Sequence, residues 1–242
     1  MTPKAGGAKD LAAGAASGKP GPLAGRLLYR DQLLLVLDKP AGLAVHPGPS
    51  GEASVETYLP ALRFGYRETP GLAHRLDRDT SGCLALGRNA RALRKLGRLF
   101  SEGRVEKTYW ALVQGRPEKD QGRIDLPLAK ETLGRRWRVR VDPTGQTAVT
   151  DYRVLGSGEG RAWLELRPQT GRTHQLRVHL AALGCPILGD ALYGQAAASG
   201  LHLHARRLVL PLYPEKPAIA VEAPLPPALQ PALESCGWTE RT

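Results

Sequence analysis

The chain has 242 residues and a formal net charge of +11, because 34 Lys and Arg residues oppose 23 Asp and Glu residues. With 42% apolar and 24% charged residues, it has the composition of a folded globular protein, which excludes disorder of the whole chain. No apolar run approaches the roughly 20 residues of a membrane-spanning helix. The basic excess, dominated by arginine, indicates nucleic acid as partner, or secondly an anionic membrane surface. A genome that favours arginine codons would produce the same excess.

Three cysteines, Cys83, Cys185 and Cys236, lie far apart in the sequence and form no C-x-x-C pair. An odd number of distant cysteines argues against a disulfide framework and fits a reducing compartment. The N-terminus lacks the apolar core of a secretory signal and the arginine-rich, acid-poor character of a transit peptide. We therefore expect a cytoplasmic protein.

Residues 1–24 contain mainly Ala, Gly, Lys, Ser and Pro without periodic apolar positions, which predicts a disordered tail. Residues 25–242 show no convincing linker and are expected to form one domain. Its first half contains apolar runs at 33–37 and 83–86, typical of buried strands, and a possible short helix over 54–62. Asn89 is a suitable N-cap for a helix over 90–102 that Gly103 would end.

The second half alternates further short strands with two helices. Alternating or apolar patterns predict strands over 105–113, 136–141, 148–155, 162–166, 201–210 and 219–222, and helices over 173–183 and 228–234. Many strands and few helices indicate an α+β protein with a mixed, mainly antiparallel central sheet and flanking helices.

The densest polar cluster is His74-Arg75-Leu76-Asp77-Arg78-Asp79-Thr80-Ser81-Gly82, between a Pro-Gly turn and an apolar run. Two arginines within two residues of Asp77 would help to keep its carboxylate ionised, as a nucleophile requires. The same residues could form a salt-bridged turn in which Asp79 or Thr80 satisfies backbone donors. The pattern alone leaves both interpretations open.

A second cluster runs from Thr170 to His179. Gly171 permits a tight turn, and Arg172 and Thr173 are expected to open a helix whose free amides favour an anion, either a phosphate or a carboxylate. His174 and His179 are five residues apart, which does not match a helical zinc pair. His202 and His204 point to one face of a strand, where polar packing or RNA contact is favoured over metal binding.

Four segments, in order, resemble the RluA-type pseudouridine synthases. Residues 74–82 resemble the family's H-R-L-D-x-x-T-S-G signature, and residues 38–47 its K-P-x-G-L-x-V-H-P segment. Residues 107–109 match K-x-Y, and residues 170–194 match T-G-R-x-H-Q-[IL]-R-x-H followed by P-I-x-G-D-x-x-Y-G. The S4-like RNA-binding domain frequent at the N-terminus of the family is not expected here, because the first residues are few and polar.

The resemblance implies isomerisation of uridine to pseudouridine within RNA, on the pseudouridine synthase fold with its catalytic cleft. Asp77 would be the essential carboxylate, attacking ribose C1′ or removing the C2′ proton. Arg172 would pair with Asp77, and Tyr109 would stack on the uracil. Because the reaction involves no net redox change or hydrolysis, no cofactor and no metal are expected.

The implied partner is structured RNA, ribosomal or transfer, from which the target nucleotide must be extruded. Arg75 is a candidate to fill the vacated space, and Lys107 would lie beside Tyr109 on one face of a strand. The further candidate substrate contacts are His74, His174, Gln175, Leu176 and Arg177. The cationic face of the helix over 90–102 carries Arg91, Arg94, Lys95 and Arg98, which would contact phosphate or simply be solvated.

Two other functions fit parts of the sequence. A non-catalytic RNA-binding or ribosome-assembly factor could share the fold, although it need not retain Asp77, Tyr109 and Arg172 together. A hydrolase could use Asp77 as nucleophile, but no second carboxylate or metal site is evident to activate water. Nothing in the sequence requires an assembly larger than a monomer.

Overall fold

The computed structural model describes residues 21–48, 51–134 and 136–239. Contacts within the chain group these residues into two compact units. The single domain over 25–242 stays a prediction. The first unit comprises the described residues up to Val105 together with Val209–Ala223. The second comprises the described residues of Glu106–Leu208 together with those from Pro224 onward. Most of the expected tail lies outside the described residues, but Gly21–Leu23 form a 3-10 turn in which Leu23 is buried.

Short strands dominate the described chain. The strands are β1 (Leu27–Arg30), β2 (Leu34–Lys39), β3 (Gly71–Leu72), β4 (Ser81–Gly87), β5 (Glu106–Gln114), β6 (Gln121–Asp125), β7 (Leu128–Leu133), β8 (Arg136–Val141), β9 (Val149–Gly158), β10 (Arg161–Pro168), β11 (Leu203–Leu210) and β12 (Ile219–Glu222). The α-helices are α1 (Val55–Tyr58), α2 (Ala90–Ser101), α3 (Gln175–Ala182) and α4 (Gln230–Glu234), and further 3-10 turns span Leu59–Leu62 and Pro227–Leu229. In the part of the chain that the structure describes, no helix combines the length and apolarity needed to cross a membrane.

The first unit is built on antiparallel strands in which β2 pairs with β1 on one side and with β4 on the other. Strands β2 and β4 are buried along their whole length, which agrees with the apolar runs within them, although β2 also buries Asp38 and Lys39. Helix α2 begins as predicted, because the Oδ1 atom of Asn89 accepts a hydrogen bond of 2.9 Å from the Ala92 N–H. Its Leu96 and Leu99 side chains are buried.

In the second unit, β10 lies between β5 and β9, and β6 pairs with the far edge of β9, all antiparallel. Strands β7 and β8 form a separate hairpin in which Glu131 faces Arg138. Leu128 and Val139 of this hairpin pack with Ala148 and with Val178 of α3. The strand pairs named above are antiparallel, and Ala44 and Ser54 form an isolated parallel bridge. Together with the few helices, these pairings confirm the predicted α+β class with a mixed, mainly antiparallel sheet.

Two glycines of β9 allow the C-terminal segment to lie directly on the strand. A Cβ atom at Gly156 would overlap the carbonyl group of Cys236, and one at Gly158 would overlap that of Ser235. The close approach buries Leu229 and Leu233 against Leu112 of β5, so residues after Pro224 complete the core of this unit.

Candidate active site

The three predicted catalytic residues belong to different units, with Asp77 in the first and Tyr109 and Arg172 in the second. Asp77 opens a turn between β3 and β4, in which the Thr80 N–H donates a hydrogen bond of 3.2 Å to the Asp77 carbonyl oxygen. The side chains of Leu76 and Thr80 are buried on either side of the half-buried Asp77. The carboxylate is therefore carried by a loop that is anchored at both ends.

Lys39, at the end of β2, ties this loop to the segment that follows the strand. Its side chain is fully buried, and its Nζ atom donates hydrogen bonds to the carbonyl oxygens of Pro40 (2.8 Å), Leu43 (2.8 Å) and Arg78 (2.9 Å). Three acceptors match the three donors of an ammonium group. The Gly42 N–H also donates to the Arg78 carbonyl, at 3.0 Å, so the structure joins the first two family-like segments.

The charge of Lys39 interacts with the acidic residues around it. Burial lowers the pKa of Lys39 to about 7, while the nearby charges of Asp79, Asp77 and Asp38 act in the opposite direction. Burial thus favours the neutral amine of Lys39, whereas the charge of the Asp77 carboxylate favours the ammonium form. The sequence identified Lys39 only as part of a family-like segment and did not predict its contact with the Asp77 loop. A charged residue that continues a buried apolar run was nevertheless a detectable signal.

His74 and Arg75 stand in contrasting surroundings in the same loop. The Nε2 atom of His74 accepts a hydrogen bond of 2.9 Å from the Ala85 N–H, and its ring stacks on Phe100 of α2 at 4.4 Å between centroids. These contacts fasten the loop to β4 and α2. Arg75, by contrast, is exposed.

Lys107 and Tyr109 lie two residues apart on β5, as the sequence predicted. The Nζ atom of Lys107 donates a hydrogen bond of 3.1 Å to the Thr170 carbonyl oxygen, and burial lowers the pKa of this lysine. Tyr109 is half-buried and packs on the cluster that contains Leu176. Strand β5 is thereby linked to the loop that carries Arg172.

Gln175 fixes the loop from Thr170 to Arg172. Its Oε1 atom accepts hydrogen bonds from the Thr170 hydroxyl (2.7 Å) and from the Arg172 N–H (3.0 Å). Its Nε2 atom donates to the Val149 carbonyl oxygen (2.9 Å) and to the Thr150 hydroxyl (3.0 Å). All four hydrogen-bonding positions of the buried amide are used, which makes Gln175 the centre of this loop.

The backbone around Arg172 differs from the sequence expectation. Helix α3 begins only at Gln175, because His174 adopts a left-handed conformation with φ of 53°. Arg172 and Thr173 therefore do not open the helix, and the Gln175 side chain occupies the Arg172 amide that was expected to bind an anion. The exposed Arg172 guanidinium is oriented by a hydrogen bond of 3.0 Å from Nε to the Thr147 carbonyl oxygen.

Arg177 is engaged within the protein rather than at its surface. Its guanidinium forms two hydrogen bonds of 2.8 Å with the Asp190 carboxylate, and both side chains are buried. This pair holds the pKa of Asp190 below its usual value despite burial. The geometry favours a positioning role for Arg177 over the RNA contact that the sequence suggested.

Among the described residues, no group of three or more His, Cys, Asp and Glu side chains is arranged to hold a metal ion. His202 and His204 are buried, and the Nδ1 atom of His202 lies 3.0 Å from the Gly200 carbonyl oxygen. This burial agrees with the polar packing that was one of the two favoured interpretations. The three cysteines are buried, and none of them forms a disulfide in the described structure.

The sequence matches a family model described as RNA pseudouridylate synthase over residues 33–182. A relative from Zymomonas mobilis, named as an uncharacterized RNA pseudouridine synthase, is 48% identical over 211 residues that cover 85% of this chain and 96% of the relative. A mitochondrial pseudouridylate synthase of Xenopus tropicalis is 38% identical, with coverage of 84% and 78%.

A solved structure also shares the fold. Human RNA pseudouridylate synthase domain containing 4 superposes with a TM-score of 0.74 at 31% identity, covering 90% of this chain and 96% of that one. The matched segment includes Asp77, Tyr109 and Arg172, so the similarity extends over the residues that the sequence singled out.

Proposed function

The chain belongs to the RNA pseudouridylate synthase family, and on that premise we propose that Asp77 is the carboxylate through which it isomerises uridine in RNA. The observation that carries the assignment is the anchored turn from Asp77 to Thr80, with the buried Lys39 bound to the next carbonyl group. A nucleophile or base has to be held in place before the substrate arrives, and this loop provides that rigidity.

In the proposed reaction, the bond from ribose C1′ to uracil N1 breaks and a bond from C1′ to C5 forms. Asp77 either attacks C1′ or removes the C2′ proton, which would return to C2′ later. The base turns between the two steps, C5 loses its proton, and N1 gains one. Atoms and electrons balance without a cofactor, so we propose that neither a cofactor nor a metal takes part.

Arg172 and Tyr109 are assigned the other two roles. Arg172 pairs with the Asp77 carboxylate and orients it; the clamp from Gln175 and the bond to Thr147 support a fixed guanidinium. Tyr109 stacks on the uracil, and its packing against the cluster of Leu176 supports a pocket with an apolar side.

The substrate is proposed to be ribosomal or transfer RNA, bound by a monomer in the cytoplasm. A uridine stacked within folded RNA has to be extruded before C1′ can be reached, and the exposed Arg75 is proposed to fill the space it leaves. Arg91, Arg94 and Arg98 on the exposed face of α2 are proposed to contact phosphates. Loss of one such contact should reduce the slope of log K for RNA binding against log salt concentration by about 1.

The test is to incubate the purified protein with RNA from a strain that lacks it, and to map pseudouridine by carbodiimide-blocked reverse transcription. The wild type should create new sites, Asp77→Asn should create none, and Asp79→Asn, an exposed aspartate two residues away, should remain active. Absence of new sites with the wild type would overturn the proposed activity. Activity in Asp77→Asn would overturn the assignment of the carboxylate.

A further inference from the structure

An exposed tryptophan on the β7–β8 hairpin lies over a histidine ring. The Trp137 side chain is 42% exposed, although large apolar side chains in folded proteins are usually covered. Its ring stacks on that of His174, with 5.2 Å between centroids and 23° between planes. Two aromatic rings are therefore layered at the surface of the second unit.

The backbone of His174, the histidine of this stack, adopts an unfavourable conformation. His174 has φ of 53°, which is unfavourable for a residue with a side chain and persists only where the surroundings enforce it. Its Nδ1 atom lies 2.8 Å from the Tyr193 hydroxyl oxygen, which accepts a hydrogen bond of 2.9 Å from the Val139 N–H of β8. Tyr193 thus fixes the histidine and the hairpin to one another.

The hairpin itself is well supported. Its inner face buries Leu128 and Val139 against α3, and on the opposite face Arg138 forms an ion pair of 2.8 Å with Glu131. Trp137 is therefore exposed although the hairpin that carries it is firmly packed against α3. Such a ring loses little conformational freedom when a flat partner stacks on it.

Two exposed basic residues accompany the rings, one beside Trp137 in space and one near His174 in the sequence. The Nζ atom of Lys130 lies 4.8 Å from the centroid of Trp137, and the exposed Arg172 precedes His174 by two residues. Aromatic rings that stack on bases, beside cations that neutralise the backbone, are the combination by which proteins hold single-stranded nucleic acid.

We propose that the Trp137–His174 stack is a platform for an unpaired base of the RNA substrate, with Lys130 neutralising an adjacent phosphate. The inference rests on the proposed function, because it places part of the substrate beside the loop of Arg172. It assigns a binding role to a hairpin that none of the family-like segments includes.

The test measures binding of the full chain to a fluorescein-labelled oligouridine 12-mer and to an abasic strand of the same length, at one salt concentration. The variants are Trp137→Ala and Trp137→Phe. The matched control is Phe64→Ala, which removes another exposed ring (40%) that lies beneath a cation, with the Arg30 guanidinium 4.7 Å away. Circular dichroism melting curves establish that each variant is folded.

Trp137→Ala should weaken binding of oligouridine about 5- to 150-fold, the usual effect of losing one base–aromatic stack. It should leave the abasic strand unaffected, and Trp137→Phe and Phe64→Ala should resemble the wild type. Equal weakening for both strands, or none for oligouridine, overturns the platform. In the isomerisation assay, Trp137→Ala should raise KM more than it lowers kcat. If the wild type modifies RNA and Trp137→Ala has the same KM, the platform is overturned and the proposed activity is not. If the wild type binds oligouridine but does not modify RNA, only the proposed activity is overturned.

Discussion

The Nζ atom of Lys39 lies 2.9 Å from the carbonyl oxygen of Arg78, the residue that follows Asp77. Replacing Lys39 by methionine keeps the volume of the side chain but leaves three buried carbonyl groups without this donor. We expect the free energy of unfolding at pH 7.5 to fall by about 2 kcal/mol, and the rate of pseudouridine formation to fall at least about tenfold. Urea unfolding and a single-turnover assay measure the two effects.

The matched control for this substitution is Lys119→Met, which removes an exposed lysine outside both loops. It should change the free energy of unfolding by less than about 0.5 kcal/mol. A Lys39→Met variant with wild-type activity would show that Lys39 does not position Asp77.

Stability should also depend on pH through Lys39. Its pKa is about 7 in the folded protein and near 10.5 when unfolded, so between these values the unfolded state binds more protons and stability rises with pH. From pH 7.5 to 9.5, the wild type should therefore gain stability relative to Lys39→Met, by up to about 1.4 kcal/mol per pH unit. Comparing the two proteins cancels the parallel effect of Lys107. A constant difference over this range would contradict the assignment.

Gln175 should control the position of Arg172. Gln175→Ala removes all four hydrogen bonds of a buried amide, and we expect a loss of about 3 kcal/mol in the free energy of unfolding and a lower kcat. Gln169→Ala, at an exposed glutamine six residues earlier, should change the free energy of unfolding by less than about 0.5 kcal/mol and leave kcat unchanged. An unchanged kcat in a folded Gln175→Ala protein would show that Gln175 does not position Arg172 for the reaction.

The Arg177–Asp190 ion pair should matter for stability and not for RNA affinity. Arg177→Met leaves a buried carboxylate uncompensated, which costs about 3–5 kcal/mol, and adding Asp190→Asn should recover part of that loss. Arg123→Met, which breaks the exposed pair with Asp151, should cost less than about 1 kcal/mol. If Arg177→Met instead lowers the salt dependence of RNA binding, Arg177 contacts phosphate as the sequence suggested.

The features that sequence reasoning predicted well are those encoded locally. The buried runs became β2 and β4, and Asn89 became the cap of α2 through a contact three residues away. Strands β6 and β7 were missed, because their polar and charged residues show no alternation and they form only by pairing with β9 and β8. Asp77, Tyr109 and Arg172 were also identified locally, because each lies in a short family-like segment and these segments follow one another along the chain.

Long-range contacts account for what the sequence could not predict. His174, whose backbone is left-handed, contacts Trp137 and Tyr193, which lie 37 residues before it and 19 residues after it in the numbering. Lys39 looked like part of a motif, and its hydrogen bond to Arg78 spans 39 residues. Neither partner could be chosen from local patterns, because many polar residues in the chain compete for the same contacts.

The division of the chain into two units has a consequence for its synthesis. Each unit is closed by a late segment: Val209–Ala223 belongs to the first, and residues after Pro224 belong to the second. In the second unit, Leu229 and Leu233 cover Leu112 only once the ribosome has made them. Apolar surface on β5 therefore stays uncovered until Leu229 and Leu233 emerge from the ribosome, and the nascent chain has to be kept from aggregating until then.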